Sequence, residues 1–326
     1  KHLFSINHPV FIPYPCSMRT YFLLGMLVLG VLFPQGAPLS FVIRYSVMTL
    51  LFFAFLGIKW EANAFTRTHL WVFLGHLAVG FMAWLILLPI DPVLAMAGFL
   101  TGMMPTASVS PALTGYLDGN VRFVTLAVAM NTLALGVLMP FFLPWVMESE
   151  IPVRIGEVLG PVAITLGVPF VLARGLKLLL PTIADWIYEK RELTFWLFVA
   201  NVYIAMAKAS AFVRYEMEAG WDMILWIGLI SLTLCILNYG LGYLMGGKRW
   251  APEASMALGR KNTMFGLWLA LTFFPPITAL GPLSYILWHN FYFSLQMRWK
   301  KQQTKKIEAV EAPDKKNPGF HHPDQD

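Results

Sequence analysis

The feature that most constrains this chain is a succession of long apolar runs with little polar interruption. A helix needs about 20 mostly apolar residues to cross a bilayer. Ten such segments are predicted, near 20–36, 39–58, 69–89, 92–116, 120–146, 151–173, 194–213, 221–246, 252–273 and 276–298. The runs are continuous rather than alternating, which argues against a transmembrane β-barrel. They also lack the regular polar stripe that a soluble helix turns to water. Only 13% of the 326 residues are charged, against about 25% in an ordinary soluble domain. The fold class is therefore all-α, a polytopic membrane protein of about ten transmembrane helices.

The chain divides into an N-terminal segment (1–18), a first five-helix repeat (19–146), a second (151–300) and a disordered cytoplasmic tail (301–326). The first segment carries Pro9, Pro13 and Pro15, and Met18 offers an alternative start. The tail is rich in Lys, Glu and Pro and is expected to bury too little apolar surface to fold. Its His321-His322 pair reads as a solvated pair rather than a metal site. Cys16 and Cys235 stand alone, with no CxxC or Cys/His spacing, so neither a zinc site nor a disulfide framework is indicated.

Loop charge sets an expected orientation. With the N-terminus inside, the inner segments hold Lys59, Arg67, Arg122, Arg174, Lys177, Lys190, Arg191, Lys248, Arg249 and the basic stretch Arg298–Lys316. The outer ones hold only Arg44, Arg154 and Arg214, beside acidic residues such as Glu148, Glu157 and Glu216. The reading is N-in and C-in, in the cytoplasmic (inner) membrane. The net charge of +6 is attributed to a basic edge near anionic lipid headgroups, not to nucleic acid. The expected partners are membrane lipid and a small organic anion, with the protein a monomer or homodimer and no cofactor.

Two segments are interrupted. The fourth carries Pro105-Thr106-Ala107-Ser108-Val109-Ser110-Pro111 at membrane depth, and the ninth carries Gly259-Arg260-Lys261-Asn262-Thr263. Proline removes a backbone donor. A charge at the bilayer centre costs at least about 2.5–3.5 kcal/mol. Broken backbone at that depth survives only inside protein or along a wet cavity. The interruptions fall fourth in each five-helix half. Five is odd, so the halves run in opposite senses, the pattern of an inverted-repeat transporter site. Two plainer readings stay open: a proline kink with back-bonded hydroxyls in the fourth segment, and snorkelling of Arg260 and Lys261 to headgroups.

Pro105-Thr106-Ala107-Ser108, Gly119-Asn120-Val121, Gly259-Arg260-Lys261-Asn262 and Trp288-His289-Asn290 with Ser294-Leu295 together resemble the bile acid:sodium symporters and their bacterial relatives over residues 19–300. The resemblance implies a panel of helices 1, 2, 6 and 7, and a core of helices 3–5 and 8–10. Broken helices 4 and 9 would cross in the core, and substrate would bind between the two domains. It also implies sodium ligands, and here the chain departs. The ninth-helix glutamate falls at Ala257 and its glutamine partner at Lys261. The fifth-helix hydroxyls fall at Val124 and Val128, and the third-helix glutamine has no counterpart around Val79 and Gly80. Hard cations need oxygen ligands, and methyl groups supply none. Lys261 is expected to stand in for a sodium ion, making transport sodium-independent: uniport, exchange or proton-linked.

The candidate substrate or ion residues are Thr106, Ser108, Ser110, Asn131, Thr132, Arg260, Lys261, Asn262, Thr263 and Asn290, with His76 and Lys208 as possible cavity-lining residues. Two cations beside half-helix N-termini favour an anion. Each residue has a bland alternative: backbone repair for Asn262 and Thr263, interhelical hydrogen bonding for Asn131 and Thr132, a core imidazole for His76 and His289, an interfacial position for Lys208. The expected function is secondary transport of a small organic carboxylate or sulfate by alternating access. A ligand-binding membrane sensor is the alternative from another class. Arsenite efflux is disfavoured because no cysteine lies in either break and soft metalloids want thiolate. An enzyme ranks last, since no nucleophile–base pair has supporting spacing.

Overall fold

The computed structural model describes residues 16–58, 65–147, 155–215 and 221–311. The first segment's prolines, the outer-loop glutamates at 148, 150, 216 and 218, and the His321-His322 pair lie outside these residues. The described chain is helical: α1 (Cys16–Leu32), α2 (Val42–Gly57), α3 (Arg67–Leu87), α4 (Pro92–Met103), α5 (Ser110–Tyr116), α6 (Val121–Val146), α7 (Ile155–Leu179), α8 (Pro181–Glu189), α9 (Leu193–Tyr215), α10 (Trp221–Gly259), α11 (Thr263–Phe273) and α12 (Leu280–Glu311). Among the described residues six helical stretches are long and apolar enough to cross a membrane, including Arg67–Leu87, Val121–Val146 and Ile155–Leu179. The rest of the apolar helix comes in shorter pieces, Pro92–Met103 and Thr263–Phe273 among them. Outward faces carry bare apolar bulk, such as Trp71, Ile86, Trp145, Leu172 and Leu244. Water would penalise such a surface, whereas hydrocarbon solvates it. The protein is an all-helical multi-pass membrane protein.

Local chemistry sets most helix ends. Asp91 starts α4 by accepting from Val93 N (2.7 Å) and Leu94 N (3.0 Å), with Pro92 behind it. Asn120 starts α6 by accepting from Phe123 N (3.1 Å), and Asn262 starts α11 by accepting from Phe265 N (3.2 Å). Each cap satisfies one donor that a helix start leaves orphaned. α10 breaks at Gly247, which has φ 56°, and again at Trp250. This break separates the predicted eighth and ninth segments and leaves 251–259 as a half-helix. α12 differs from expectation: it stays helical to Glu311, where the composition gave a disordered tail from 301. Lys, Gln and Glu are good helix formers, so this stretch propagates from a packed helix without a core of its own.

α1 packs along α9, α2 along α7 and α9, α3 along α4 and α10, and α10 along α12. Between α3 and α4 the backbones nearly touch. A Cβ at Gly102 would lie 2.8 Å from Gly80 Cα and 2.9 Å from Gly80 N. Only glycine fits there, and this contact fixes where α4 can end. Lys300 of α12 holds the turn after α5, pairing with Asp118 (2.5 Å) and donating to Tyr116 O (2.7 Å).

Candidate functional site

The two interruptions meet. α4 ends at Met103 and α5 begins at Ser110, while the half-helix 251–259 ends at Gly259 and α11 begins at Thr263. The unwound strands between them pair antiparallel. Ala107 N donates to Arg260 O (2.8 Å), and Asn262 N donates to Pro105 O (2.7 Å), with Thr106 and Lys261 opposite one another. Unwinding frees backbone groups that hydrocarbon cannot satisfy, and each broken helix supplies partners for the other.

Side chains finish the repair. The hydroxyl of Thr106 donates to Ala257 O (2.6 Å) and accepts from Asn131 Nδ2 (2.8 Å). Tyr285 donates its hydroxyl proton to Gly259 O (2.7 Å). Lys261 Nζ donates to Gly102 O (2.7 Å) and lies 2.7 Å from His76 Nδ1. The other ring nitrogen, Nε2, lies 3.3 Å from Asn131 Nδ2 and 3.4 Å from Thr106 Oγ1. Both carbonyl ends of the half-helices are thus met by donors. The one at Gly102 is met by a cation, as the negative end of a helix dipole favours.

Arg260 and Lys261 are neighbours that leave the strand in opposite directions. Lys261 reaches α3 and α4. Arg260 reaches α12, where its guanidinium donates to His289 O (3.1 Å) and Asn290 Oδ1 (2.7 Å). Arg260 is 7% exposed and Lys261 1% exposed. Snorkelling is therefore excluded for both. Neither ion-pairs with a carboxylate among the described residues, and the groups they engage are neutral.

The other predicted site residues divide by exposure. Ser108 is exposed and Asn262 half-buried beside the crossing. With Asn262 Oδ1 committed to the cap, its amide nitrogen is the donor left to face outward. Thr106, Ser110, Asn131, Thr132 and Thr263 are buried. Ser110 Oγ has no hydrogen-bond partner. Asn290 is taken up by Arg260 and by Ile286 O, to which its Nδ2 donates (2.7 Å). His289 serves through its backbone carbonyl, its ring edge-on to Tyr285. His76 is a core imidazole with no exposure, joined to Lys261. Lys208 is half-buried on α9. Of the residues at the positions where the resemblance implies sodium ligands, Val124 and Ala257 are packed in one apolar cluster and Val128 is buried. The stretch around Val79 and Gly80 is closed against α4.

Three residues were not anticipated. Tyr285 caps the second half-helix. Glu253, 7% exposed, accepts from Asn120 N (2.7 Å) through one carboxylate oxygen while the other is unpartnered. Asn201 of α9 is 1% exposed with neither amide atom hydrogen-bonded. An asparagine in the middle of an apolar helix was the one available signal for Asn201. Cys235 also lies nearer the crossing than its sequence position implied, in one buried cluster with Met104, Tyr239 and Tyr285.

A multi-pass helical protein with two unwound spans paired in its interior has the build of a secondary transporter. A model of the Sodium Bile acid symporter family matches residues 37–215, more than half of the chain, and the protein belongs to that family. It is 25% identical over 230 residues to the uncharacterized sodium-dependent transporter YocS of Bacillus subtilis (strain 168), an alignment covering 66% of this chain and 67% of that one.

Proposed function

We propose that the protein carries small organic anions, of carboxylate or sulfate type, across the cytoplasmic membrane by alternating access, with Lys261 in place of a co-transported sodium ion. The observation that carries this reading is the Lys261 ammonium on Gly102 O, at the carbonyl end of a broken helix. That is where a cation gains most from a helix terminus.

In this reading α1, α2, α7 and α9 form a panel. The remaining spans form a core of two inverted halves, 19–146 and 151–300, with both termini inside. The anion docks where the crossing faces the panel, against the Ser108 hydroxyl and the Asn262 amide. Arg260 and Lys261 act mainly through their field, because neutral acceptors already engage them. A monovalent anion about 8 Å from either charge gains about 2 kcal/mol at an effective dielectric of 20. Sodium dependence is doubtful on this view: Ala257, Val124 and Val128 offer methyl groups, and the Lys261 ammonium would repel a second cation.

Sodium symport is the competing reading, favoured by the description of YocS as sodium-dependent. A thermal-shift screen of the purified protein against organic anions, with and without sodium, separates the two. A ligand at 100 times its Kd stabilises by about 2.7 kcal/mol. The expected result is that at least one carboxylate, sulfonate or sulfate raises the melting temperature in sodium-free buffer. Stabilisation by sodium alone, with every anion silent in its absence, would overturn the proposal.

A further inference from the structure

We infer that the protein is an obligatory anion exchanger, in which an emptied crossing must take up a second anion before it reorients. This rests on the anion-transport reading above and concerns what the carrier does after release. A co-transported sodium ion leaves with its anion, so an emptied symporter returns without the added charge. A tethered cation cannot leave. The guanidinium of Arg260 stays protonated in proteins. It is 7% exposed, with its Nε unpartnered and its other nitrogens on His289 O and Asn290 Oδ1. Lys261, 1% exposed, sits on His76 Nδ1 and Gly102 O.

Among the described residues, the titratable groups gathered around the pair are His76, His289, Cys235, Tyr239 and Tyr285, and none is a carboxylate. The buried carboxylate of the same half-helix is Glu253, seven residues back and about 10 Å along the helix axis. It is engaged with Asn120 N. An empty crossing therefore holds the buried Arg260 guanidinium against neutral dipoles, with the Lys261 amine beside it. Carrying an unpaired charge through the occluded state, where water is excluded, is strongly disfavoured. A bound monoanion cancels it, so the loaded carrier crosses and the empty one stays. Exchange of equally charged anions then moves no net charge.

The test uses the full chain in sodium-free proteoliposomes, with radiolabelled cholate, benzoate and sulfate as probes. Vesicles are either anion-free or preloaded with the same unlabelled anion. Uptake of a transported probe is expected to be at least about tenfold faster into preloaded vesicles, the ratio that about 1.4 kcal/mol produces. It is also expected to be insensitive to an imposed potassium diffusion potential of either sign. Equal uptake into anion-free vesicles, or uptake driven by an inside-positive potential, would overturn exchange while leaving anion transport intact. Failure of all three probes to enter either kind of vesicle would overturn the underlying reading of the site and the exchange inference with it.

Discussion

Replacing Lys261 with methionine separates what the crossing needs for stability from what it needs for transport. Methionine is unbranched and flexible enough to fill the space of the lysine stem. The change removes two hydrogen bonds, to His76 Nδ1 and Gly102 O, each 2.7 Å long. Interhelical hydrogen bonds inside membrane proteins average about 0.6 kcal/mol and reach about 1.7 kcal/mol, so their loss costs about 1–3 kcal/mol. Against this stands the desolvation penalty of an ammonium that is 1% exposed and faces no carboxylate, a penalty of several kcal/mol per buried ion. The second quantity is the larger. K261M is therefore expected to be as stable as the parent or more stable, by up to about 3 kcal/mol. Loss of about 2 kcal/mol of attraction for the anion should weaken binding roughly 30-fold and cut uptake at subsaturating substrate accordingly. Thermal unfolding followed by tryptophan fluorescence gives the first quantity, and proteoliposome uptake the second. A loss of more than about 2 kcal/mol of stability, or uptake at the parent rate, would refute the view that this lysine is kept for function at the expense of stability.

Other perturbations probe the same region. Thr106→Val and Asn131→Leu, alone and together, should show a coupling of about 0.6–1.7 kcal/mol in a double-mutant cycle of thermal stability; strict additivity would argue against the 2.8 Å bond between them. Asn262→Asp keeps the acceptor that caps Phe265 N but sets a carboxylate before the anion. Its melting temperature should hold while the KM for the anion rises at least about tenfold, the effect of about 1.4 kcal/mol; an unchanged KM would remove Asn262 from the site. Gly102→Ala forces a methyl to within 2.8 Å of Gly80 Cα and should cost about 1–3 kcal/mol. Gly160→Ala in α7, where a Cβ would meet nothing within 4 Å, should be neutral or stabilising by up to about 1 kcal/mol. Equal effects in a side-by-side melting comparison would mean that α3 and α4 do not pack as described.

The multi-pass helical fold was legible because hydrocarbon demands long apolar helix, though six of the ten expected spans are long apolar helices among the described residues; the breaks were legible because proline, hydroxyls and charges at membrane depth contradict that demand. That Pro105–Pro111 and Gly259–Thr263 would meet was an expectation from their places in the fourth and ninth predicted spans, and the backbone pairing at Thr106 and Lys261 bears it out. Sequence could not tell where neighbouring side chains go. Arg260 and Lys261 are adjacent cations in the sequence, yet the unwound strand sends one to α12 and the other to α3 and α4. Asn290 reads as a ligand, but Arg260 and Ile286 O consume it. Tyr285, 26 positions from Gly259, becomes its cap only through the packing of α12 on α10. Long-range partners of this kind leave no local pattern. Helix beyond residue 300 departs from the compositional expectation for another reason: a stretch with no core of its own can still propagate from a packed helix.

Initial-rate uptake of a screened anion into proteoliposomes, with choline replacing sodium on both sides, tests the tethered cation most directly. If the Lys261 ammonium serves where sodium otherwise would, the rate with choline should match the rate with sodium. Uptake that vanishes without sodium and returns with it would contradict that role for Lys261, leaving the family membership and the membrane fold untouched.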